Sequence, residues 1–173
     1  MRRTFLLVTS IALVAASAAA QSKSPVSDVI RDVVASRQKT IVAAIEAMPA
    51  DKFDYKPTAD QMTFGHLAEH IVEANNFFCS KAADVAEPKV EVKDNYGKDK
   101  LLAAVKASFD FCTTSLAKTD DSKLGDTIEG FGGKKQLRAW AFVALASNLA
   151  DHYGAAAMYL RLNGILPPTA QKK

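Results

Sequence analysis

His66 and His70 stand at i and i+4 in the stretch Thr63-Phe-Gly-His-Leu-Ala-Glu-His-Ile-Val-Glu-Ala-Asn-Asn-Phe-Phe-Cys79. On a helix that spacing stacks both imidazoles on one face, one turn apart. Leu67, Ile71, Ala74, Phe77 and Phe78 make an apolar stripe beside them, so this face is expected to look inward with the histidines on or at the edge of a core. Glu73 follows three residues after His70 on the same side. Ionisable groups in such a place need hydrogen bonds, a charge partner or a metal ion. The remaining histidine, His152, has Asn148 one helical turn before it. Imidazole is the commonest nitrogen ligand of zinc and related divalent ions, and three protein ligands with one open position make a reactive centre. The residues alone leave two readings open, a metal centre or hydrogen-bonded core histidines.

The chain holds two cysteines, Cys79 and Cys112. Each ends or lies within an apolar helical stripe, which suits two buried thiols acting as small hydrophobes or a disulfide between helices. We expect them to lie near each other and to be oxidised in at least part of the population. With no Cys-x-x-Cys, a redox centre is not expected.

Four helical patterns must position these groups. Ser24-Pro25 reads as an N-cap followed by proline at the first helical position, and Ile30, Val34, Ile41, Ile45 and Met48 continue at helical spacing, predicting a helix over 25–48. Thr63 caps a second helix that fades near Ala86, before a polar linker to Gly97. Leu102, Val105, Phe109, Cys112 and Leu116 form a bundle seam on a third helix, about 98–118. Residues 120–134 carry Gly125, Gly130, Gly132 and Gly133 without helical period, so they read as a long crossing loop, and the glycine spacing is not that of a phosphate-binding fingerprint. A fourth helix is predicted from near Lys135 to Asn163, with Leu137, Ala141, Ala144, Asn148, His152, Ala155 and Tyr159 facing inward and Gly164 as its stop. Trp140 is read as core. Four amphipathic helices without strand patterns predict an all-α, four-helix bundle.

Ahead of these lies Met-Arg-Arg and an uncharged run from Thr4 to Ala20 ending in Ala18-Ala-Ala20, the pattern of a secretory signal. Cleavage after Ala20 is expected, giving a single mature domain, 21–173, in the periplasm or secreted, with no stable membrane association. Loss of Arg2 and Arg3 takes the 22 basic residues to 20 against 19 acidic ones, a net charge near +1. Nothing in that balance points to nucleic acid.

Residues 51–80, through Asp51-Lys-Phe-Asp-Tyr-Lys-Pro57, Thr63-Phe-Gly65, His70-Ile71 and Asn75-Asn-Phe-Phe-Cys-Ser80, resemble the DinB-like (damage-inducible, YfiT-like) family. So do His152-Tyr-Gly154 and Tyr159-Leu-Arg-Leu-Asn-Gly-Ile-Leu-Pro-Pro168. The resemblance implies a DinB/YfiT-type bundle with a long crossover between helices three and four. It also implies a divalent ion, zinc or nickel, held by three histidines, which carry over to His70, Asn148 and His152. At Asn148 this chain departs from the pattern, since an amide oxygen is a weaker zinc ligand than imidazole. His66 could replace it only if both histidines of the second helix reach one cavity. Glu73 and Asp151 are candidates to orient the imidazoles.

Two functions follow from the resemblance, neither with an assigned catalytic residue. One is a metal-dependent transferase or hydrolase acting on an unidentified small molecule. The other is a non-catalytic bundle with a degenerate metal site, serving as a binding or assembly module, with a homodimer as one form.

Overall fold

The computed structural model describes residues 22–171; the signal sequence and its cleavage after Ala20 lie outside the described residues. Four helices carry the fold: α1 (Pro25–Ala47), α2 (Phe64–Ala83), α3 (Gly97–Leu116) and α4 (Arg138–Leu162). α2 packs on α3 and α4, and α1 packs on the same two, so α1 stands diagonally across from α2. The all-α four-helix bundle expected from periodicity is what forms. Among the described residues no helix is long and apolar enough to cross a membrane.

The core is built from one stripe of each helix. Ile41 and Ile45 of α1, Leu67 and Ile71 of α2, Val105 and Phe109 of α3, and Leu145 and Leu149 of α4 are fully or almost fully buried. Each such side chain contributes about 1.5–3 kcal/mol of hydrophobic stabilisation. On α3 the seam is entered by Leu101, buried, with Leu102 half-buried beside it. On α4 the predicted inward row holds at Ala141, His152 and Tyr159, which are buried, but not at its start. Leu137 is exposed, while Phe142, Leu145 and Leu149 take the core positions. Nearly uniform apolarity along α4 gives little contrast between its faces, and packing against two neighbours selects which residues turn inward.

Cys79 and Cys112 form a disulfide between α2 and α3, with their α-carbons 5.2 Å apart. Both residues are fully buried.

The α1 start differs from the expected cap. Ser24 makes no side-chain bond to the helix. Asp121, from the α3–α4 connection, accepts from the backbone N–H groups of Val26 and Ser27 at 2.9 and 2.8 Å and from the Ser27 hydroxyl at 2.8 Å. Burial pushes the Asp121 carboxyl up, and these three bonds outweigh it and hold the carboxyl below its ordinary range. A carboxylate at a helix N-terminus also meets the positive end of the macrodipole.

The crossing segment is not wholly irregular. Residues β1 (Thr127–Glu129) and β2 (Lys135–Leu137) pair antiparallel, and α4 begins only at Arg138, later than predicted. Strands of three residues are too short to leave an alternation in the sequence. Gly132 and Gly133 adopt φ of +61° and +73°, which lets the hairpin turn inside so few residues. Arg138, almost fully buried, anchors this segment: it donates to the Lys81 carbonyl at 3.2 Å and lies 3.3 Å from Asp84 and 3.6 Å from Asp126. Asp84 is also the residue that ends α2, in the left-handed conformation.

Candidate metal centre and its cleft

Thr63 starts α2 as the sequence predicts, its hydroxyl accepting from the His66 backbone N–H at 3.0 Å. From that fixed start His70 is carried to the side of α2 that meets α4. There its ring meets the ring of His152 edge-on, with centroids 4.9 Å apart. Asn148 lies one turn earlier on α4 and lines the same cleft as His70. Thus α2 and α4, which pack directly on each other, bring the three residues singled out in the sequence to one place.

The polar atoms at this place are unsatisfied. His152 is almost fully buried, and its Nε2 has no hydrogen-bond partner among the described residues; neither has the buried Oδ1 of Asn148. Burial first, and His70 second, push the His152 imidazole below its ordinary pKa, against the opposing pull of Asp151. His152 is therefore neutral at physiological pH, the form in which imidazole ligates a metal. Glu73 and Asp151 approach the Nδ1 atoms of His70 and His152 at 3.8 and 3.9 Å. Both carboxylates are largely exposed and beyond direct hydrogen-bond reach.

A neutral buried imidazole nitrogen, a buried amide oxygen and a half-exposed second imidazole are a donor set that fits a borderline divalent ion. Two of the three donors are atoms that burial has deprived of water without supplying another partner, a costly arrangement unless something binds them.

His66 does not join them. Its side chain is half exposed and faces Glu69 and Asp94, 3.8 and 3.9 Å from their carboxylates. The inward orientation expected for His66 is corrected here: α4 covers the turn of α2 that carries His70, whereas the α2–α3 linker residue Asp94 lies opposite His66. His66, Glu69 and Asp94 form a separate group whose ligand-type atoms lie within 4.8 Å of one another. Burial, then neighbouring Glu73, raise the Glu69 carboxyl, with His66 opposing. The approach of Asp94 depends on Gly65, because a Cβ there would stand 2.6 Å from the Asp94 carbonyl oxygen.

The cleft beside His70 and Asn148 has a volume of about 480 Å³, within the range of small-molecule sites. Its walls combine two aromatics of the α2 stripe with residues the sequence did not mark. Val90 and Val92 arrive from the α2–α3 linker, Phe77 and Phe78 from α2, and Phe131 from the glycine-rich turn of the hairpin. Phe131 is exposed and stacks on Phe77, centroids 4.6 Å apart and planes 7° from parallel. Trp140 meets both Phe78 and Phe131 edge-on and is half-buried behind them. An isolated Phe within a glycine loop was the only signal available, and it acquires meaning only when the loop folds back on α2.

Comparison with known proteins bears on the same bundle. The structure resembles that of a DinB-like protein, YjoA, from Bacillus subtilis, with a TM-score of 0.67 at 20% identity, covering 83% of this chain and 99% of that one. A DinB-like protein from Bacillus cereus superposes with a TM-score of 0.68 at 14% identity, over 82% of this chain and 95% of that one. At such identities the likeness concerns the fold. Among curated proteins none matches. Residues 34–156 match the sequence profile of the DinB superfamily, a span that runs from the middle of α1 through His70 to His152 and beyond, and so the chain belongs to the DinB superfamily.

Proposed function

We propose that this is an exported metal-binding member of the superfamily, holding a divalent ion, zinc or nickel, through His70, Asn148 and His152 at the inner end of the cleft. The observation that carries the reading is the pair of orphaned buried atoms, His152 Nε2 and Asn148 Oδ1, beside the His70 ring. Bound there, the ion would act as a Lewis acid and lower the pKa of a water or thiol. The chain's own residues contribute the rest. The apolar walls exclude water and orient a small molecule, and the burial of His152 keeps its imidazole neutral. This supports a transferase or hydrolase reaction on a small molecule. Export is supported by the buried Cys79–Cys112 disulfide, which suits an oxidising compartment.

We place the ion here rather than at His66, Glu69 and Asp94, because two of that trio's side chains are about half exposed and none of its atoms is among the buried ones left without a partner. Calorimetric titration of chelator-treated protein with zinc or nickel, together with elemental analysis after purification, tests the assignment. Binding that is lost in His152→Ala and retained in His66→Ala supports it; no binding in the wild type, or loss only in His66→Ala, removes it.

A second reading is favoured by Asn148 itself. With an amide in place of an imidazole, the bundle would bind a small molecule with weak or no metal and without turnover. Metal-loaded protein that turns over thiol acceptors or simple hydrolytic substrates would exclude this reading.

A further inference from the structure

We infer that the cleft takes a small molecule with a flat, unsaturated body and a protonated amine, and discriminates against carboxylate ligands of the same size. The inference rests on the cleft being the functional site as proposed above, and it adds the chemical class of what enters.

Two features carry it. The wall is aromatic on one side: Phe131 and Phe77 are already stacked at 4.6 Å, and Phe78 stands edge-on to both, at 5.5 and 5.3 Å. Rings so arranged offer a face and edges to a further flat group, and their faces attract a cation. The charged side chains lining the cleft are acidic. Glu73 and Glu87 contribute carboxylates, and among the described residues no Lys or Arg lines it. Lys81 lies 5.5 Å from the Phe77 ring and Lys89 stands between the lining residues Pro88 and Val90, but neither side chain lines the cleft. A cleft with two carboxylates and aromatic faces is complementary to an amine and repels an anion.

The position of Phe131 makes it the part that reads the flat body. It projects from a turn whose glycines, Gly132 and Gly133, have positive φ. Gly130 is needed for a different reason, since a Cβ there would stand 2.9 Å from the Gln136 side chain and 3.2 Å from the Trp140 ring. The turn is therefore held against Trp140 while Phe131 reaches out over Phe77.

Calorimetric titration of chelator-treated protein with phenethylamine, 2-phenylethanol, phenylacetate and n-butylamine tests the inference. Phenethylamine is expected to bind about tenfold tighter than phenylacetate, the size set by two partly exposed carboxylates acting in opposite senses on the two probes. It should also exceed n-butylamine, and 2-phenylethanol should fall between phenethylamine and phenylacetate. Glu87→Gln, in the exposed linker, should narrow the gap between amine and carboxylate. Phe131→Ala should weaken all three aromatic probes and leave n-butylamine unchanged. Phenylacetate binding as tightly as phenethylamine overturns the inference, as does a preference unmoved by both Glu87→Gln and Glu73→Gln, or binding of none of the probes at millimolar concentration. Zinc binding is measured separately in the same samples. Amine binding without zinc binding removes the metal assignment alone, and zinc binding without amine preference removes this inference alone.

Discussion

His70 and His152 meet ring edge to ring face across the α2–α4 contact, with 4.9 Å between centroids, one imidazole half exposed and the other buried. Two imidazoles so close cannot both be charged without cost, and the buried one is the one held neutral.

That asymmetry predicts the pH dependence of stability in metal-free protein. The folded His152 pKa lies below its ordinary value of 6.5, so in acid the unfolded chain takes up a proton that the folded chain does not. Stability is therefore fully present above the unfolded pKa and falls as pH drops through it, until the folded pKa is passed. His70 on α2 and Asp151 on α4 are the titratable groups facing the ring, and Asp151 opposes the shift. Chelator-treated protein should lose melting temperature as pH falls below about 6.5, and His152→Gln should lose less over the same fall. Parallel curves for the two proteins would remove the claim.

Asn148 is the position to change for metal affinity. Asn148→His offers a third imidazole from one turn earlier on α4, and zinc should bind at least about tenfold tighter. His152→Ala should abolish binding. If Asn148→His leaves affinity unchanged and lowers the melting temperature, the two α4 side chains serve a metal-free core.

The disulfide spans 33 residues of sequence, and in the loop-entropy picture it stabilises by roughly 3–4 kcal/mol. Reduction, or the double substitution Cys79→Ser with Cys112→Ser, should lower stability by that order in denaturant titrations. Two free thiols in the untreated protein by mass analysis would contradict the bridge.

Two glycines should respond oppositely to alanine. Gly65→Ala places a Cβ 2.6 Å from the Asp94 carbonyl oxygen and 3.4 Å from that of Phe53. Both are backbone atoms with little freedom to move, so a cost of about 1–3 kcal/mol is expected. Gly154, inside α4, has no neighbour within 4 Å of an added Cβ, and Gly154→Ala should stabilise by about 0.5–1 kcal/mol. Calorimetry of the pair decides; equal and small effects would mean the linker is not seated on Gly65.

What could be read in advance follows from range. The helices and the pairing of Asn148 with His152 are set by spacings of one turn, and both were legible. The cap on α1 was not, since Ser24 satisfies the local rule while the bonds come from Asp121, some 95 residues away. His66 and His70 differ by one turn only, and a one-turn spacing fixes a shared face without saying where a neighbouring helix will cover it. α4 covers His70, and the linker residue Asp94 meets His66. The cleft walls were the least legible, because Val90, Val92 and Phe131 sit in segments without periodicity and gain their role only through tertiary approach.

The Cys79–Cys112 bond encloses the whole linker between α2 and α3, including the segment that supplies Val90 and Val92 to the cleft. A protease that cuts the exposed chain between Val85 and Lys93 would open that wall without freeing either piece. The nicked molecule would keep its mass apart from one added water, migrate as a single species until reduced, and then part into two fragments.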